Sequence, residues 1–301
     1  MTATLPSATG PWCWGGRGAA PRTVIVYGNC QVPYLARMLA AIDDLNDDYR
    51  FVFAANHVLP GEAAPRPVPE ALSRDAALLL HQYEEHEQPA ARALRAQLPA
   101  GCPVLRFPSY LLTGLWPFEC PDPRGVPDAA FPYTRYPLGD MIALEIARHG
   151  LRGALAVGAY LDLSARKMPN LQVRLQRDLE RMRRYDTQVD VPLFDHVEAN
   201  FRREHLFWTN GHVSRPAVAE LARRVMEAAR PVLGGSADRT AACLAAVDDF
   251  EGMGSHQHPV HPMAAEAYGL EWWAPDRTWQ WYDQQWTYFE YIERYIGYEP
   301  W

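Results

Sequence analysis

The chain has 301 residues, of which 48% are hydrophobic and 22% charged, with a net charge of -7. This composition is typical of a folded globular protein and excludes a disordered or coiled-coil chain. The net negative charge argues against a nucleic-acid partner. No apolar run reaches the ~18 residues of a transmembrane helix, so we expect no membrane insertion. The five cysteines show no CxxC spacing, which predicts neither a disulfide framework nor a zinc ribbon and favours a cytoplasmic location.

The N-terminal segment, residues 1–22, is rich in Gly, Pro and Ala and has no apolar core of a signal peptide, so we expect a flexible tail. Residues 23–301 are predicted to form a single α/β catalytic domain. Its first part, 23–137, is the sheet-rich half and 138–301 the mostly helical half. Residues 113–137 hold many Pro and Gly and predict a long irregular loop.

Four short apolar runs predict buried strands: Thr23–Tyr27, Phe51–Ala55, Ala76–Leu80 and Val104–Phe107. A segment with the residue pattern of a helix follows the first run and another follows the third. Strands that alternate with helices predict an α/β fold with a doubly wound, mainly parallel sheet. Ligands bind such sheets at the carboxyl ends of the strands. The polar residues expected to meet there are Gly28-Asn29-Cys30-Gln31, Asn56-His57, His81-Gln82-Tyr83 and Pro108-Ser109-Tyr110.

The C-terminal half is expected to be largely helical. Helices are predicted over Met141–His149, from Pro169 to about Arg184, from an N-cap at Ser214 to about Arg230, and over Trp286–Ile296. A strand is predicted at His205–Thr209, and residues 231–262 are expected to be loop-rich. Six of the ten tryptophans fall in the last 30 residues, where they form either core or the wall of a sugar pocket.

The strongest local pattern is Gly28-Asn29-Cys30-Gln31, between a strand and the N-terminus of a helix. The amides and dipole of that terminus favour negative charge, so we expect a lowered pKa for the Cys30 thiol. Gly28 permits a tight turn, and Asn29 can supply an amide N–H to a developing oxyanion. The alternative is that Cys30 is a small buried hydrophobic residue in a packed turn.

His212 is the second candidate, because it follows a strand and precedes a capped helix. Such a histidine tends to stay neutral and suits a general base. The alternative is a loop histidine that only bonds backbone. Arg166-Lys167 is the second phosphate-binding candidate after the turn. The arginine face of the predicted helix 169–184 is, in contrast, typical of a solvated surface. The stretch with His256, His258 and His261 lacks carboxylates at ligand spacing, so we expect no metal.

In these motifs the sequence resembles the WcbI-type polysaccharide biosynthesis acetyltransferases of bacterial capsule clusters. The likeness lies in Tyr27-Gly28-Asn29-Cys30-Gln31, His81-Gln82, Phe107-Pro108-Ser109-Tyr110, Leu206–Thr209 leading to His212, His261-Pro262 and Tyr288–Tyr295. One difference is that this chain reads Asn210-Gly211-His212 where family members commonly read Asn-His-Pro. The resemblance implies a cytoplasmic enzyme that binds coenzyme A and transfers an acetyl group to a sugar hydroxyl.

The resemblance places the turn and the later histidine at the thiol end of coenzyme A. The predicted catalytic residues are therefore Cys30, His212 and Asn29. The predicted cofactor-binding residues are Gly28, Gln31, Gln82, Ser109, Tyr110, Arg166 and Lys167.

Two routes fit these residues. In the first, which we favour, His212 deprotonates an acceptor hydroxyl that attacks acetyl-CoA directly, with amides of Asn29, Cys30 and Gln31 at the oxyanion. In the second, Cys30 takes the acyl group first. Two other functions remain open: a thioesterase or esterase, in which water replaces the sugar, and a non-catalytic module that binds coenzyme A.

Overall fold

The computed structural model describes residues 12–58, 63, 65–126, 130–131, 134–248 and 254–299. The chain divides into two compact units. The sheet unit comprises Met1–Tyr110, Glu180–Ala199 and His212–Met253, and the helical unit comprises Leu111–Leu179, Asn200–Gly211 and Gly254–Trp301. Neither unit is a continuous stretch of the chain.

The sheet unit contains a five-stranded sheet in the order β1-β3-β2-β4-β5. Its strands are β1 Cys13–Gly15, β2 Arg22–Gly28, β3 Tyr49–Ala55, β4 Ala76–Gln82 and β5 Val104–Phe107. Strands β2 to β5 pair in parallel, and β1 pairs antiparallel with β3. The predicted α/β fold with a mainly parallel sheet is confirmed. Strand β1 lies within the segment 1–22, where a flexible tail is expected; residues 1–11 lie outside the described residues.

The described residues form twelve α-helices. They are α1 Val32–Ala40, α2 Asp43–Asn46, α3 Glu70–Arg74, α4 Pro89–Gln97, α5 Met141–Arg148, α6 Gly153–Lys167, α7 Leu171–Asp186, α8 Phe194–Asn200, α9 Arg215–Leu233, α10 Ala237–Ala246, α11 Pro262–Tyr268 and α12 Tyr288–Ile296. Among the described helices, none has both the length and the apolar composition that crossing a membrane requires.

Central strands of the sheet are buried on both faces. Every residue of β4 is buried, and so is β2 after Arg22, which explains their continuous apolar runs. One face of the sheet packs its side chains, including Ile25 and Leu79, against Leu94 of α4. Helices α1 and α9 pack against each other and against the strands. Helix α9 presents a buried stripe of Val218, Leu221, Val225 and Met226, which is why this late segment belongs to the sheet unit.

The helical unit has a core built largely from α5, α6 and α12, with Tyr160, Tyr288 and Tyr295 among its buried side chains. It also contains two short antiparallel pairs, β6 Glu119–Cys120 with β7 Gly139–Asp140 and β8 Thr278–Trp281 with β9 Gln284–Thr287. A 3₁₀ turn covers Thr113–Leu115.

Several predicted elements differ from the structure. His205–Thr209 is not a strand, because Phe207 makes only an isolated bridge there. Residues 231–262 contain helix α10, which begins after an N-cap at Ser236. The closing helix begins at Tyr288 rather than Trp286, because Thr287 and Glu290 form a capping box.

Candidate functional site

Gly28 ends β2 and begins the turn that carries Cys30. A Cβ atom at this position would lie 2.5 Å from Gln82 Oε1, 2.6 Å from Gln82 Cβ and 2.6 Å from Val32 Cγ2. Only a glycine therefore fits between the end of β4 and the start of α1. This close approach of the backbone brings the first turn of α1 and the end of β4 into one cluster.

Two buried glutamines connect the ends of three strands. Gln82 accepts a hydrogen bond from Asn29 N–H at 2.8 Å and donates Nε2–H to Gln31 Oε1 at 3.2 Å. Gln31 in turn donates to the carbonyl of Tyr110 at 2.6 Å and accepts from its N–H at 3.2 Å. The side chains are 2% and 5% exposed, so these bonds replace water that burial has removed. The prediction that these residues lie together is confirmed.

Asn29 holds the turn in place from within. Its side-chain oxygen accepts from Gln31 N–H at 3.0 Å, as in an Asx turn, and its amide donates to Ser109 Oγ at 3.2 Å. Because Asn29 N–H and Gln31 N–H both have partners in the protein, neither matches the predicted oxyanion role. The third predicted donor, Cys30 N–H, has its own thiol as a partner.

The Cys30 thiol is half-buried at the N-terminus of α1. Burial raises the pKa of this thiol, and a hydrogen bond from its own backbone N–H opposes the rise only in part. This contradicts the lowered pKa expected from the helix terminus. At neutral pH Cys30 is therefore mainly a thiol and a weak nucleophile unless a base removes its proton.

His212 precedes helix α9 in the sheet unit. The carbonyl of Val232, near the C-terminus of α9, accepts from Tyr49 Oη at 3.3 Å, and Tyr49 is the first residue of β3. The C-terminus of α9 thus lies at the amino end of the sheet. A helix of 19 residues extends about 28 Å, so its N-terminus lies toward the carboxyl ends of the strands. Burial lowers the pKa of His212, which keeps its imidazole neutral at pH 7.

A second polar group at this edge surrounds Glu84. Its Oε1 accepts from Tyr27 Oη at 3.3 Å and from Asn56 Nδ2 at 3.0 Å. Its Oε2 lies 3.8 Å from Nε2 of His81, a buried residue of β4. Asn56 Oδ1 also lies 3.1 Å from His57 Nδ1. The sequence placed Asn56, His57 and His81 at strand ends, but the partnership with Glu84 depends on side-chain geometry that no spacing predicts.

The structure gives no support to a phosphate site at Arg166 and Lys167. Both lie at the C-terminal end of α6, where the helix dipole repels anions. Arg166 pairs with Asp162 at 2.9 Å, and Lys167 pairs with Glu145 at 2.6 Å. The two cations thus already have carboxylate partners.

Two histidines of the His-rich stretch and two of the six C-terminal tryptophans have structural roles in the helical unit. His258 stacks on Trp116, and His261 caps α11 by accepting from Met263 N–H at 3.1 Å. Within the described ranges no three His, Cys, Asp or Glu residues group as metal ligands. Trp279 and Trp281 are buried core residues. Trp301 lies outside the described residues.

The fold and the site define a class: a doubly wound α/β protein with a thiol in its first strand–helix turn. One buried glutamine of that turn and one of the neighbouring strand β4 hold the turn in place. The sequence model of the family described as polysaccharide biosynthesis enzyme WcbI matches residues 23–231. The chain belongs to this family. The predicted resemblance is therefore confirmed, and with it the coarse function of a polysaccharide biosynthesis enzyme.

A solved structure supports the fold over almost the whole chain. It is described as WcbI, a novel polysaccharide biosynthesis enzyme, in its native form without a disulfide bond between coenzyme A and a cysteine. The two chains are 18% identical and superpose with a TM-score of 0.64, covering 92% of this chain and 89% of the other. Among curated proteins, none matches this chain significantly.

Proposed function

We propose that this protein is an acyl-CoA-dependent O-acetyltransferase that acts on a hydroxyl of a sugar or polysaccharide precursor. The observation that carries the proposal is the turn at Cys30, which opens at the N-terminus of α1 and is fixed by the buried Gln31–Gln82 pair. The family supports a role in polysaccharide biosynthesis. The description of the related structure names coenzyme A and a cysteine without a disulfide bond between them, which supports coenzyme A as the donor here.

The state of Cys30 favours direct transfer to the acceptor. Because burial raises the pKa of the thiol, little thiolate is present at pH 7. In the direct route the acceptor oxygen attacks the thioester carbonyl, a neutral imidazole takes the hydroxyl proton, and the thiolate of coenzyme A leaves. Gln31, Gln82, Ser109 and Tyr110 then shape the site rather than react.

Turnover of acetyl-CoA tests the proposal. Free coenzyme A is measured with a thiol reagent, with and without a set of methyl hexopyranosides, and the products are identified by mass. An acetylated glycoside supports the proposal, whereas acetate alone identifies a hydrolase. Cys30→Ala should keep most of the transfer activity, with Cys243→Ala on α10 as the control. Loss of transfer in Cys30→Ala but not in Cys243→Ala would refute the direct route.

Binding is measured separately by thermal unfolding. A ligand specific to the native state stabilises it by about 2.7 kcal/mol at 100 times its Kd. Coenzyme A should therefore raise the Tm in wild type. If coenzyme A does not raise the Tm and acetyl-CoA is not turned over, the protein does not use acyl-CoA and the proposal is refuted.

A further inference from the structure

His57 lies at the end of β3 with a chain of polar groups behind it. Its Nδ1 is 3.1 Å from Asn56 Oδ1, and Asn56 Nδ2 donates to Glu84 Oε1 at 3.0 Å. The Glu84 side chain is 9% exposed and also accepts from Tyr27 Oη and from Gln88 N–H. A carboxylate held by several donors gives Asn56 one fixed orientation.

The series of hydrogen-bonded groups from Glu84 through Asn56 determines which nitrogen of His57 carries the proton. A carboxylate only accepts hydrogen bonds, so the Asn56 atom that faces Glu84 is the NH₂ group. The atom that faces His57 is then the amide oxygen, which also only accepts. His57 must therefore donate from Nδ1–H, and Nε2 carries the lone pair. An imidazole oriented in this way by an amide is the base in thiol enzymes with a Cys-His-Asn arrangement.

The pairing of β2 with β3 places His57 beside the turn. The two strands are in register up to Gly28 opposite Ala55, and Asn56 N–H continues the ladder by donating to the Gly28 carbonyl at 2.9 Å. The next positions along the two strands are Asn29–Cys30 and Asn56–His57. Parallel strands lie about 4.8 Å apart, so His57 belongs to the same edge as Cys30. The imidazole is half-buried and thus within reach of a bound molecule.

We propose that His57 is the general base of the acyl transfer, with Asn56 and Glu84 as its positioning residues. This inference rests on the proposed function. The sequence predicts His212 as the general base. We assign this role instead to His57, whose orientation the structure fixes.

The acceptor oxygen forms a bond to the thioester carbonyl carbon while its proton moves to His57 Nε2. The bond between that carbon and the sulfur of coenzyme A then breaks. The departing thiolate takes the proton back from His57, so the products are an ester and free coenzyme A, and the histidine returns to its neutral form.

Kinetics of variants test the assignment. His57→Gln should lower kcat by about 100-fold or more while the thermal shift with coenzyme A persists, because a general base contributes roughly 10² to 10⁴ to the rate. Imidazole in the buffer should restore part of the activity of His57→Gly, which loss of a structural residue would not allow. His149→Gln, at the exposed end of α5, is the control. Full activity of His57→Gln, with transfer intact in wild type, overturns the assignment and leaves the proposed function standing.

Nitrogen NMR of the imidazole gives a readout that needs no turnover. Wild-type His57 should show the Nδ1–H tautomer, and Asn56→Ala should lose it, together with about a tenfold fall in kcat because the ring is no longer oriented. An Nε2–H tautomer in wild type overturns the inference whatever the activity. If wild type neither binds coenzyme A nor turns over acetyl-CoA, the proposed function fails, and the acyl-transfer role of His57 fails with it.

Discussion

Replacing Gly28 by Ala should destabilise the sheet unit and disrupt the candidate site together. The new methyl group would lie 2.6 Å from Gln82 Cβ, an atom fixed by its strand, and 2.5 Å from Gln82 Oε1. Overpacking of this kind costs about 1–3 kcal/mol. Moving the Gln82 amide away also breaks its bond to Asn29 N–H, which adds roughly 1 kcal/mol. We therefore expect a loss of about 3 kcal/mol in the free energy of unfolding.

The assay is thermal and urea unfolding of Gly28→Ala beside wild type. A loss of about 3 kcal/mol corresponds to a fall in Tm of roughly 6–12 °C. The control is Gly158→Ala in α6, where an added Cβ meets nothing within 4 Å. That variant should be more stable than wild type by about 0.5–1 kcal/mol, since Ala is the better helix former. An unchanged Tm for Gly28→Ala would refute the close packing of the turn against Gln82.

Two further predictions concern the helical unit. Burial lowers the pKa of His261 from 6.5 to about 4 in the folded protein. Between these two pH values the unfolded state binds a proton at His261 and the folded state does not. The free energy of unfolding therefore falls as the pH drops from 6.5 toward 4. The loss in the free energy of unfolding is up to about 3 kcal/mol. Measured by urea unfolding, the stability of His261→Gln should depend less on pH in this range than that of wild type. An equal pH dependence in the two proteins would contradict the prediction. Asp178, 2% exposed, accepts from Thr113 Oγ1 and from Gly114 N–H. Asp178→Ala should cost about 2–4 kcal/mol and Asp178→Asn less, and equal Tm values for the two variants would argue against these bonds.

The parallel sheet could be predicted from the sequence because its strands are buried on both faces. Val24, Val26 and Leu78 are fully buried, and such positions produce apolar runs that alternate with helices. The same topology predicted that Asn29, Gln82 and Ser109 lie together. Strand β1 was not predictable in this way, because Cys13–Gly15 carries no such run and pairs only at the edge.

The chemistry of the site was less predictable than its location. The pattern around Cys30 predicted a low pKa from the helix terminus, but the extent of burial depends on packing that sequence does not contain. The turn pattern alone predicts the backbone amide of Asn29 as an oxyanion donor, but in the structure this N–H donates to Gln82 Oε1. The role of Glu84 could not be predicted, since it joins Tyr27 and Asn56 from other strands.

The most direct test of the account is a titration of wild type with acetyl-CoA by isothermal calorimetry, repeated with Cys30→Trp. We expect binding at one site per chain in wild type. The large indole should abolish this binding by filling the turn, while Cys243→Trp on α10 should bind as wild type does. Equal affinity in Cys30→Trp, or no binding in wild type, would contradict the claim that this turn holds the thiol end of coenzyme A.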